Sequence, residues 1–98
     1  MRVRLIPEAE MEFLEAAQWY RDQSSGLDYE FIRCIDEAIA RIRRTPLLFP
    51  VVHRERRRIL VKRFPYAIIF EFVSEEIVIY AIFHFSRNPR RWQRRQEG

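Results

Sequence analysis

The sequence predicts an α+β domain in the order β-α-α-β-β-β, with a helical hairpin packed on one face of a small, mainly antiparallel sheet and a short basic helix or tail at the C-terminal end. Three observations predict it. Two stretches with helical spacing follow one another in the first half, separated only by Gln23-Ser24-Ser25-Gly26. The β-branched, alternating stretches cluster after them. Ser74-Glu75-Glu76 is short enough to join the last two of those stretches as a hairpin.

Arg2 to Ile6 alternates and reads as a first strand, with Val3 and Leu5 on one face. Pro7 ends it and suits the first turn of a helix. Glu8, Glu10 and Glu12 crowd that helix's N-terminus, where the macrodipole favours negative charge. The helix is expected over about Glu8–Asp22, with Ala9, Phe13, Ala16, Ala17 and Tyr20 turned inward and Glu8, Glu12 and Glu15 turned outward. A second helix is expected over about Leu27–Thr45, stopped by Pro46 and buried along Phe31, Ile35, Ala38, Ile39 and Ile42. The short break makes the pair an antiparallel hairpin. Leu47 to Glu55 shows no period and reads as an irregular connection. Strands are expected over Arg58–Arg63, Tyr66–Val73 and Ile77–Ser86, the last two apolar on both faces, so that at least one is central. Asn88-Pro89 reads as an N-cap and first-turn proline before a basic segment, Arg90 to Gln96.

The 98 residues make one domain, 1–98, of a size that folds without disulfides. A lone cysteine, Cys34, excludes a disulfide framework and fits a reducing cytoplasm. No apolar run reaches the length of a membrane span, and the opening residues do not read as a signal peptide. His53, His84 and Cys34 have no metal-site spacing, so no metal is expected. Two glycines leave no phosphate-cradling loop, and there is no serine-nucleophile elbow; no cofactor is expected.

The net charge of +4 conceals a division. Residues 1–40 carry four basic and nine acidic side chains, a net of −5, and residues 41–98 carry 14 and five, a net of +9. All but one of the basic residues are arginine. The basic half calls for an acidic partner, either nucleic acid or an acidic protein segment. Arg54, Arg56, Arg57, Arg63, Arg90, Arg91 and Trp92 are the candidate contacts to such a partner, and a solvated charged edge is the plainer reading of Arg54 to Arg58. Alternation puts Tyr80, His84 and Ser86 on one face of the last strand, with Ile79, Phe83 and Phe85 on the other. If the polar faces coincide, Arg58, Lys62, Glu71, His84 and Arg87 converge. Arg58, Lys62, His84 and Arg87 are then the candidate catalytic set of a metal-independent ribonuclease, with arginine stabilising phosphorane charge and histidine moving protons. His84 near a strand end is more often a structural histidine than a catalyst, and Tyr66, Tyr80 and Trp92 read as core or rim aromatics rather than base-stacking platforms.

Several motifs together resemble the RelE/ParE superfamily of toxins from bacterial type II toxin–antitoxin (plasmid-stabilisation) modules. They are Ala9-x-x-x-x-Leu14, Trp19-Tyr20, Gly26-Leu27, Phe31, Ile35-Asp36-x-Ala38-x-x-x-Ile42, Pro46-x-x-x-Pro50, Arg63-Phe64-Pro65-Tyr66-x-Ile68, Ile77-x-Ile79-x-Ala81 and His84-x-x-Arg87-x-Pro89-x-x-Trp92. The last is the most specific, and together they span almost the whole chain. The resemblance implies a cytoplasmic growth-inhibiting toxin held in a heteromeric complex by a cognate antitoxin. ParE-like members inhibit DNA gyrase; RelE-like members are ribosome-dependent mRNA endoribonucleases. This chain has one lysine and no tyrosine after Tyr80, which departs from the nuclease patterns, and indole at Trp92 is no general acid or base. The resemblance therefore favours a ParE-like toxin, with the endoribonuclease, or a non-toxic antitoxin-binding relative, as alternatives.

Overall fold

The computed structural model describes residues 1–96. A first strand, β1 (Arg2–Leu5), leads directly into α1 (Pro7–Gln23) and α2 (Leu27–Arg44). A single 3-10 turn (Pro46–Leu48) precedes β2 (Val51–His53) and β3 (Arg56–Leu60); β4 (Tyr66–Val73), β5 (Glu76–His84) and the one-turn helix α3 (Arg90–Gln93) complete the chain. The strands form one sheet in the order β1-β5-β4-β3-β2, antiparallel except for the parallel pair β1·β5. The class and order agree with the sequence reading, with two corrections. The connection read as irregular contains β2, which is only three residues long and follows prolines at 46 and 50, too short to show a period. The strand expected over Arg58–Arg63 runs instead over Arg56–Leu60, because Arg63 takes φ 70° and turns the chain before Phe64.

Proline at the first helical position and glutamates at 8 and 10 start α1, and Gly26 at φ 91° makes the turn into α2 that an L side chain resists. The hairpin covers one face of the sheet. Tyr20 of α1 and Phe31 of α2 meet Phe64 and Tyr66 with ring centroids 4.8–5.3 Å apart for three of the four pairs, and Tyr20–Tyr66 at 6.1 Å. Edge-on and tilted packing of this kind adds about 0.5–1.5 kcal/mol per pair to the burial itself. Ile59, Ile68 and Ile82 lie opposite one another across β3, β4 and β5 and are all buried, as are Ile35, Ala38 and Ile42 of α2. The pairing of β4 with β5 contains one irregularity: Ile69 faces Ala81 but Phe70 faces Ile79, so Tyr80 is an extra residue in β5, a β-bulge. No helix among the described residues is long and apolar enough to cross a membrane.

Candidate functional site

The site begins where β1 ends. β1 pairs with β5 only from Glu76 to Ile79, so the remainder of β5 has an edge with no strand beside it. Unpaired backbone groups at such an edge need partners. Glu12 of α1 accepts a hydrogen bond from the Ile82 N–H at 3.1 Å. Arg95 donates to the Tyr80 carbonyl at 2.9 Å and grips both Glu12 oxygens at 2.8 and 2.9 Å. Glu12, expected to face outward, therefore faces the sheet; the carboxylate completes the edge that β1 leaves open.

The tail that carries Arg95 is fixed from the other face. Arg56 is 5% exposed. Its guanidinium donates to the carbonyls of Trp92, at 2.6 Å, and of Gln93 and Arg95. It lies 3.9 Å from the Tyr80 ring centroid, with Glu71 at 3.5 Å. A cation placed on the last carbonyls of a helix satisfies groups that have no intrahelical partner. Trp92 packs against His53 and Phe83 and is itself buried.

Above the Glu12–Arg95 seal, α1 and the end of β5 enclose a cleft of about 530 Å³. Glu15, Trp19 and Tyr20 of α1 form one wall; Tyr66, His84, Arg87 and Arg91 contribute to the other. The Tyr66 hydroxyl is held above the ordinary phenol range by burial first, then by the neighbouring Tyr20, with Arg87 acting in the opposite direction. His84 Nδ1 accepts the Ser86 N–H at 3.0 Å, so the neutral ring carries its proton on Nε2 and presents a donor. The imidazole stands edge-on to Tyr66 at 5.2 Å. The arrangement offers aromatic faces, the carboxylate of Glu15 beside that of Glu12, which Arg95 holds, and several donors suited to an anion.

The sequence-derived catalytic set is not brought together. Cross-strand partners share a face. Tyr66 and His84 are opposite one another on the helix-covered face, whereas Arg58 alternates with buried Ile59 and projects from the other, beside Ile69. Glu71 lies on that second face with Arg56. Lys62 pairs with Glu37 of α2 at 3.6 Å. Only His84 and Arg87 share the cleft. Tyr80, grouped with His84 by simple alternation, lies under Arg56 because the bulge reverses the faces after it.

Of the expected partner-binding residues, Arg56 and Trp92 are interior, Arg57 donates to the Leu47 and Phe49 carbonyls, and Arg63 pairs with Glu30 at 3.0 Å. Arg54, Arg90 and Arg91 are exposed and, among the described residues, have no carboxylate partner. Glu12, Glu15 and Arg95 were missed. The Arg95–Glu12 contact spans 83 residues, and no local pattern announces it. The one available signal is that strand one is shorter than the strand it borders.

No protein-family model matches the sequence, and no curated protein matches it. Among solved structures, a chain described as "Chromosomal ParDE TA system from P. aeruginosa" superposes with a TM-score of 0.72 at 17% identity, covering 86% of this chain and 95% of that one. In architecture, therefore, the chain shares the fold of that chain.

Proposed function

We propose that this chain is the toxin of a two-protein toxin–antitoxin module, a ParE-like growth inhibitor of the cytoplasm that acts on DNA gyrase and is neutralised by a cognate antitoxin. The observation that carries the reading is the superposition on a ParDE chain over 95% of that chain's length. The dispersal of Arg58 and Lys62 away from His84 and Arg87 supports it further, since the expected nuclease set has no common surface. The test is a supercoiling reaction with purified gyrase and a molar excess of the chain. Loss of supercoiling with accumulation of cleaved DNA is expected; undisturbed supercoiling at saturation overturns the proposal. Expression in cells is expected to arrest growth, with co-expression of the neighbouring reading frame restoring it. Growth without arrest assigns the chain to non-toxic antitoxin-binding relatives.

One observation favours the endoribonuclease as a second reading: His84 and Arg87 do line one cleft, together with Tyr66. In that reading, primer extension on mRNA from expressing cells finds cuts that vanish in His84→Ala and Arg87→Ala. Cuts that persist in both variants exclude the cleft as their source.

A further inference from the structure

The two walls of the cleft differ in character. Glu15 and Trp19 are one helical turn apart on α1, so carboxylate and indole address the same opening. Trp19 is 56% exposed, although its ring is large and apolar. Glu15 has no hydrogen-bond or ion-pair partner among the described residues. On the facing wall stand Arg87, Arg91 and the Nε2 donor of His84. Arg91 also lines an adjoining hollow with Arg90 and Arg94, which extends the cationic wall along the tail.

A ligand that fits must be planar against the indole, present hydrogen-bond donors to a carboxylate, and carry negative charge toward the facing wall. An acidic peptide meets Glu15 with like charge, and a basic one meets the arginines. A nucleotide has the required reversal, and the carboxylate selects among bases. Guanine alone presents two adjacent N–H donors, N1–H and the N2 amino group, on its Watson–Crick edge, which a carboxylate accepts in parallel. Adenine and cytosine put a ring-nitrogen acceptor beside their amino group, and uracil flanks its N–H with carbonyls, so each sets an acceptor against Glu15. The volume of about 530 Å³ lies within the usual range for a small-ligand site, roughly 300–1,000 Å³. We infer that the cleft binds a guanine nucleotide, with the base on Trp19, its Watson–Crick edge on Glu15, and its phosphate on Arg87 and Arg91. The site stands independently of gyrase inhibition. A free nucleotide and an unpaired guanosine in a strand share this chemistry.

The test titrates the purified full chain with guanosine 5′-monophosphate and, separately, with the adenosine, cytidine and uridine monophosphates, read by calorimetry and by quenching of tryptophan fluorescence. The guanine compound is expected to bind at least about tenfold more tightly than the others, the discrimination that two hydrogen bonds to a charged group supply. Glu15→Gln is expected to abolish that preference while its melting temperature stays unchanged, since Glu15 is exposed. Trp19→Ala removes the quenching, and Arg91→Glu weakens binding of all four nucleotides alike. A pentanucleotide with one central guanine separates the sources. Tighter binding than the monophosphate identifies a strand whose further phosphates reach Arg90 and Arg94; equal or weaker binding identifies the free nucleotide. Equal affinity for all four monophosphates, a guanine preference that survives Glu15→Gln, or no binding at millimolar concentration overturns the inference.

Discussion

Among the described residues, Arg56 is the charged side chain that the fold buries, and it organises what surrounds it. Its charge is balanced by Glu71, its face lies on Tyr80, and its donors hold three carbonyls of the tail. Removing one partner of a buried charged arrangement strands the rest, so Arg56→Ala is expected to cost about 3 kcal/mol in a urea titration. It should also raise the rate at which trypsin cuts at Arg94 and Arg95. Lysine offers a point charge without the fork that spans successive carbonyls, and Arg56→Lys should recover less than half of the loss. Tyr20 and Tyr66 give a second residue-scale prediction. Burial raises both hydroxyls above 10.0 in the folded chain, so their neutral forms are favoured there. The stability they contribute is complete below pH 10 and is lost as pH rises beyond it, because the unfolded tyrosines ionise first. Chemical denaturation at pH 9 and pH 11 should show a drop that is smaller in Tyr66→Phe than in the parent. From the sequence, Arg56 is one of five arginines between 54 and 63 with nothing to distinguish it. Its inward orientation depends on where β3 begins, two residues before the alternating pattern becomes visible at Arg58.

The two helices and the two long strands were legible because each carries a repeated signal: an apolar stripe along α2, β-branched runs along β4 and β5. Short elements held by distant partners were not. β2 has three residues, and its pairing with β3 shifts register between Val51 and His53. The β4–β5 turn was legible in position but holds an unoptimised sequence. Ser74 and Glu75 take φ 51° and 57°, the double left-handed geometry of a type I′ turn, which favours Asn-Gly. Replacing Ser74-Glu75 by Asn-Gly is expected to stabilise the chain by about 1 kcal/mol, seen as a raised denaturation midpoint at unchanged slope. Glu12 is the instructive failure. Helical spacing alone assigns it to solvent; its actual place follows from the length of β1, a property of another element.

Across the whole molecule, the division of charge that the sequence shows is partly neutralised inside the fold. Glu12 with Arg95, Glu30 with Arg63, and Glu37 with Lys62 each join the acidic first part of the chain to the basic second part. Part of what is left over lies in the tail, where Arg90, Arg91 and Arg94 line one hollow. The sheet is likewise closed by its most distant parts, since Arg2 to Leu5 pair in parallel with Glu76 to Ile79. Deleting residues 1–6 uncovers the edge of the most buried strand. The expected outcome is concentration-dependent self-association by light scattering, with retained helical circular dichroism, because exposed flat edges pair with one another. A monodisperse deletion variant would show that α1 alone protects that edge.

The bulge at Tyr80 acts as a change of parity. Before it, odd-numbered positions of β5 look toward the helices; after it, even-numbered ones do, and so His84 reaches the cleft while Phe83 reaches Trp92. One strand thereby serves two surfaces whose side chains would otherwise exchange places. Removing Tyr80 itself would restore plain alternation and leave His84 in the cleft, whereas removing one residue just beyond it, such as Ile82, would turn the imidazole toward the tail and the phenyl ring into the cleft. At this point in the chain, a change in length is a larger event than any substitution.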